Sequence, residues 1–245
     1  MAIGSGHPSL SFARRTAQAG ALVLLAVLLA PAPAAAQVDN VVTFNLGYFG
    51  VRSLDARGED DVLFRNLDYL FFDLGDFNGF TFGGEYALGL GRYFEAGVGA
   101  GYYQQTVPSV YREFVDSDGT EIEQDLKLRI APVTFVGRFF PVGRDAAVQP
   151  YVGAGLGIFA WRYSETGEFI DFNGDIFRAT YEDSGNAFGP VIFGGLRFPV
   201  GPSVMVGGEF RYQKATADLD PGVEFAAGEI DLGGYNWLFS VAVRF

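Results

Sequence analysis

The chain has no cysteine, which excludes a disulfide framework and thiol chemistry. Histidine is almost absent too: the single one is His7, and lysine occurs only at Lys127 and Lys214. A serine or threonine nucleophile needs a neighbouring base of suitable pKa, and no serine stands in a G-x-S-x-G turn. The sequence therefore offers no catalytic residue and no cofactor site. Positive charge is also scarce, with 17 basic against 29 acidic residues and a net charge of −12. That balance argues against nucleic acid as a partner, because phosphates attract basic surfaces.

Long apolar runs are missing as well. The one uninterrupted stretch is Ala21 to Leu29, well short of the ~20 residues of a membrane-spanning helix. It follows Arg14 and Arg15 and precedes an A-x-A site at Ala34 and Ala36, the arrangement of a cleaved secretory signal. The expectation is a signal peptide over residues 1–36, cut before Gln37, and a single β-barrel domain over 37–245. Both arginines leave with the signal and every acid stays, so the mature chain is more acidic still.

What the chain has in abundance is glycine, 34 residues, and phenylalanine, 25. They fall in segments that alternate with period two, the signature of half-buried strands. At the C-terminus Tyr235, Trp237, Phe239, Val241, Val243 and Phe245 occupy one parity, against Asn236, Ser240 and Arg244 on the other. The strand before it repeats the scheme around Val204, Val206, Phe210 and Tyr212. Similar strands can be drawn near 184–199, 148–164, 123–140, 93–106, 79–91 and 41–53, eight in all. Short connections at 91–92, 141–147 and 200–202 alternate with long acidic ones at 54–78, 107–122, 165–183 and 217–232. This asymmetry is that of an outer-membrane barrel with its short turns in the periplasm. The fold expected is all-β: an eight-stranded antiparallel transmembrane β-barrel of up-and-down topology, with both mature termini periplasmic.

If the apolar parity faces lipid, the opposite parity fills the lumen. It holds Glu85, Glu95, Asp125, Lys127, Arg129, Arg197, Glu209, Arg211 and Arg244, with Gly97, Gly99, Gly101, Gly153, Gly155 and Gly157 leaving room beside them. Eight strands enclose only enough space for side chains, so these charges are expected to pair into a packed polar plug. The sharper alternative is a switchable gate built from Glu85, Glu209, Arg197 and Arg211. Tyr93, Phe94, Phe139, Phe140, Phe198 and Phe245 are expected in one interfacial girdle, and Tyr102, Trp161, Tyr212, Tyr235 and Trp237 in the other.

Two loop segments stand apart from this pattern. Asp171, Asn173, Asp175 and Glu182 have the spacing of a calcium loop, but Ile176 stands where that loop needs glycine, so an acidic surface loop is expected and no metal. Val62 to Phe80 is aromatic-rich. It could extend the first hairpin, form a short helix across the barrel mouth, or present an apolar patch; extension is the expectation.

Three stretches carry a family resemblance: Gln149 to Gly157 (QPYVGAGLG), Gly208 to Tyr212 (GEFRY), and Asp231 through Phe245. They resemble the small outer-membrane β-barrel families related to the OmpA transmembrane domain, OmpX and OmpW, over essentially the whole mature chain. The final strand resembles the signal read by the barrel assembly machinery. By that likeness Phe239, Val241, Val243 and Phe245 carry it, and the machinery is an implied partner together with outer-membrane lipid and lipopolysaccharide. Barrels of similar architecture that deacylate or acylate lipid A rely on histidine, which the mature chain lacks. The function expected is a structural and interaction role in the envelope, as a monomer; a narrow pore or transport route for small or apolar molecules, as the OmpW resemblance implies, is the alternative.

Overall fold

A computed structural model describes residues 39–171 and 173–245; the expected signal peptide and its cleavage site lie outside them. Eight long strands form an antiparallel ring: β1 Asn40–Val51, β2 Gly79–Leu90, β3 Phe94–Val115, β4 Glu121–Phe139, β5 Gln149–Ile170, β6 Ile176–Pro199, β7 Val204–Gln213 and β8 Gly234–Arg244. Each pairs with its sequence neighbours, and β8 closes on β1 over Gly234–Arg244 against Val41–Val51. Closure satisfies every strand edge internally, the condition for a sheet to stand in hydrocarbon.

Connections at one end are tight. Gly91 takes φ 69°, a left-handed conformation that a side chain would strain, between β2 and β3. At the other end the four central strands run on past the ring. β3, β5 and β6 have 22, 22 and 24 residues, about twice the ~9–11 that cross a membrane. The connections expected at 107–122 and 165–183 are thus mostly strand. They end in turns at Asp116–Thr120 and Asp171–Asp175, where Gly119 and Gly174 take φ 86° and 87°. Asp171 accepts hydrogen bonds from the N–H groups of Asp175 and Asn173, at 2.8 Å each, which hold its carboxyl below the ordinary range. Among the described residues no group of acids is arranged to hold a metal.

The first long connection does not extend its hairpin. It folds a helix, α1 Val62–Tyr69, over the barrel mouth and buries Val62, Leu63 and Asn66. Asp61 caps α1 by accepting from the Phe64 N–H at 3.0 Å, satisfying one of the donors a helix start leaves free. After α1, Leu70–Phe71 pairs with Tyr111 and Val110 on the raised edge of β3. The last long connection adds a two-stranded ribbon, Thr216–Asp218 with Glu229–Asp231. The helix, the ribbon and the inner wall of the raised strands share one apolar core. It includes Leu63, Phe77, Leu126, Leu128, Ile130, Phe159, Tyr163, Ile230 and Leu232.

This core explains a reversal along the strands. From the short turns upward, outward residues are apolar and exposed: Phe44, Leu46, Phe135, Leu156, Ile192 and Phe239, with Phe188 at the far edge of this band. Further up β4 the same outward parity holds Arg129, Lys127 and Asp125, while Leu126, Leu128 and Ile130 point inward and are buried. The wall has left the apolar band, so its outside meets water and its inside meets the cap.

Candidate functional site: the filled interior

Two charged layers occupy the part of the barrel that carries the apolar outer band. In the first, Arg138 of β4 bonds both oxygens of Glu85 from β2 and reaches Glu209 of β7 at 3.3 Å. Arg211 donates from Nε to Glu209 at 2.9 Å, and its Nη2 lies 2.6 Å from Glu209 and 3.7 Å from Glu85. Tyr151 donates its hydroxyl to Glu209 at 3.1 Å. Two guanidinium groups thus face two carboxylates, and the aromatic rings supply the remaining contacts: Arg138 sits 5.0 Å over Phe193 and 5.4 Å over Tyr151. Room for these side chains comes from glycine. A Cβ at Gly153 would stand 2.3 Å from the Phe193 ring, and one at Gly97 would stand 3.0 Å from a Glu85 oxygen.

The second layer lies toward the short turns. Glu95 of β3 receives Arg197 of β6 at 3.1 Å and Arg144 at 3.1 Å. Arg144 belongs to the connection after β4, which folds beneath the ring. It also donates to the Gly91 carbonyl and lies 3.6 Å from Asp39. Gln149 and Arg244 donate to the Arg144 carbonyl at 2.6 and 2.7 Å, fixing this floor in place.

The mouth is closed by a third set. Arg57 bonds both oxygens of Asp61 at 2.8 and 2.9 Å, and the Asp231 N–H donates to Asp61 at 2.6 Å. Arg52 pairs with Asp231 at 2.7 Å. Below α1, Asn66 donates to Tyr163 and Glu165 at 3.0 and 2.5 Å, and Tyr163 donates to Glu165 at 2.8 Å. Burial pushes the Glu165 carboxyl up, against those two hydrogen bonds. Between layers and cap remains a cavity of about 50 Å³ beside Glu85, Thr134, Arg211 and Asn236, room for a few waters.

A closed ring with an apolar outer band and a charge-filled inside matches what sequence comparison finds. The family model for the outer membrane protein beta-barrel domain matches residues 21–245. The chain belongs to this family. No curated protein sequence matches it. Among solved structures this outer-membrane barrel is similar to Neisserial surface protein A, with 15% identity over 84% of this chain and 97% of that one, at a TM-score of 0.45. The N-terminal β-barrel domain of Pseudomonas aeruginosa OprF shares 12% identity over 85% and 97%, at 0.42. A major outer membrane protein from Thermus thermophilus shares 12% over 85% and 100%, at 0.43.

Of the charges assigned to the lumen from sequence, the barrel brings Glu85, Glu95, Arg197, Glu209 and Arg211 into the layers. Arg244 sits at the rim, 3.3 Å from Asp145. Arg129 is a correction: it lies on the outer wall with Asp125 and Lys127, because β4 has passed beyond the apolar band there. Two girdle residues are also corrected. Phe140 is buried beneath Arg197, 5.5 Å from its guanidinium, and Trp161 is buried in the core of the cap. Sequence reasoning missed Arg138 and Arg144. Arg138 shares parity with Thr134, Val136 and Phe140, and a strand read from that lower stretch alone would have turned it inward. Phe239, Val241, Val243 and Phe245, the residues expected to carry an assembly signal, are exposed on the outer face.

Proposed function

We propose that this barrel is a sealed, non-catalytic element of the outer membrane that supports envelope integrity and displays its acidic long connections to the exterior. The observation that carries the reading is the filled interior, with a floor around Arg144, a balanced layer around Arg138 and a cap around Asp61. An eight-stranded ring has no space for a channel once such side chains are in place. The alternative of a narrow pore would require Arg138, bonded to two carboxylates, to move aside.

On this reading the signal peptide directs export and the final strand, through Phe239, Val241, Val243 and Phe245, engages the assembly machinery. The short turns and both mature ends lie in the periplasm, and the mature chain acts as a monomer among lipid and lipopolysaccharide. The absence of histidine from residues 37–245 supports a role without acyl-transfer chemistry.

Deleting the gene tests the proposal. The expected result is raised sensitivity to detergent and leakage of a periplasmic reporter, with lipid A mass profiles unchanged. An intact permeability barrier accompanied by an altered lipid A acyl pattern would overturn it in favour of an enzyme.

A further inference from the structure

The outer wall of β3 to β6 changes character within one residue step on each strand. The outward positions end in Tyr102, Ala131, Ala160 and Phe188, and the next polar ones are Gln104, Arg129, Arg162 and Asn186. Arg129 and Arg162 are direct cross-strand partners. Lys127 follows on the same face, opposite Thr106 and Ser164. Like charges set directly opposite each other across strands repel, and here one acid relieves only one of the two. Arg162 reaches Glu182 at 3.1 Å with both side chains nearly half exposed. Among the described residues, Arg129 and Lys127 make no ion pair. Asp125, the nearest acid on their own strand and face, is a further step away from the apolar band. In a chain of net charge −12, a cluster of three cations is unusual, and it stands where the apolar band stops.

We infer that Lys127, Arg129 and Arg162 form a site on the barrel wall for the phosphate of a lipid headgroup whose acyl chains lie along the band below. A doubly charged phosphate placed between Arg129 and Arg162 would remove their mutual repulsion and give charge-assisted hydrogen bonds to both planar guanidinium groups. Lys127 would add a third donor from the water side. The apolar residues beneath, Val133, Ile158 and Leu156, would hold the chains, which a free phosphate ion does not have. Identifying the lipid as one of the outward-facing leaflet rests on the orientation given under the proposed function; the affinity for a lipid phosphate does not.

The test uses the full-length protein, purified from membranes and reconstituted in phosphatidylcholine vesicles. The readout is the temperature at which its compact electrophoretic form converts to the slower unfolded one. Vesicles carrying lipid A with both phosphates should raise that temperature. Dephosphorylated lipid A, and inorganic phosphate added to plain vesicles, should not. The double variant Lys127→Gln with Arg129→Gln should lose most of the rise while converting in plain vesicles at or slightly above the wild-type temperature, because the repulsion between Arg129 and Arg162 is gone. Glu182→Gln, which removes the competing carboxylate, should keep or enlarge it. An equal rise in the double variant, or with dephosphorylated lipid, would overturn the site; an equal rise with inorganic phosphate alone would replace it by a free-anion site. Orientation is read separately, by labelling a Tyr69→Cys variant on intact cells with an impermeant maleimide. Failure to label there would remove the leaflet assignment while leaving the vesicle result standing.

Discussion

Arg138 is the side chain on which the charged interior converges. Its guanidinium spans Glu85 and Glu209, and its side chain is only 3% exposed. Removing one partner of a buried pair costs more than removing both, because the remaining charge is left without solvent or counter-ion. Arg138→Met is therefore expected to lower stability by about 3–5 kcal/mol in urea unfolding. Adding Glu85→Gln to it should recover a good part of the loss, and a double variant as unstable as the single one would contradict the pairing. Glu165 acts at the same scale in the cap. It lies beyond Arg162, in the part of β5 that has left the apolar band, and burial raises its pKa. The folded value exceeds the unfolded one, so the docked cap binds this proton more tightly than the open one. Its contribution to docking is greatest at acid pH and falls as pH rises through the raised value. A spin label on Tyr69→Cys should be less mobile at about pH 5 than at about pH 8, and Glu165→Gln should flatten the difference. Greater mobility at the acid end would reverse the sign and refute the assignment.

At the scale of the element, a single strand faces two environments in turn. Leu156 on β5 is outward and 68% exposed within the apolar band, whereas Leu128 on β4 is outside the band and wholly buried under the cap. Leu156→Arg should cost about 2–4 kcal/mol in lipid, as a charge at membrane depth does. It should have little effect on the cap. Leu128→Asp should do the opposite, leaving membrane insertion intact while freeing α1 to protease cleavage near Tyr69. Matching effects of the two changes would mean that the wall does not reverse. The same reversal marks what is legible in the sequence. Period two locates all eight strands, and it orients β8, β7 and the lower part of β2 correctly, since lipid lies outside them along their length. It misassigns Arg129 because it turns Leu126, Leu128 and Ile130 toward lipid, when the apolar partner at that height is the cap inside. The cap is hidden for a related reason. Asp61 followed by Val62, Leu63 and Leu67 is the start of a helix with one apolar face, but the helix is only eight residues long and is held by distant partners, Asp231 at its cap and Tyr163 and Glu165 beneath it. The turns at Asp116–Gly119 and Asp171–Gly174 carry local signals, and the long strands leading to them do not.

At the scale of the molecule, the interior is blocked three times over. Arg144 and Gln149 close the floor, Arg138 and Glu209 bridge the middle, and α1 with the ribbon Thr216–Asp218 and Glu229–Asp231 covers the mouth. Removing one block should not open a path through the others. Deleting residues 53–77 is accordingly expected to expose the core of the cap and lower thermal stability without producing conductance. The central claim, that this outer-membrane barrel is a sealed body, is tested most directly by single-channel recording of the purified protein in planar lipid bilayers. The account predicts a silent membrane with no discrete current steps at any holding potential the bilayer tolerates. Reproducible steps from the wild-type protein that disappear in a Glu209→Gln variant would contradict it and establish a pore through the charged layer.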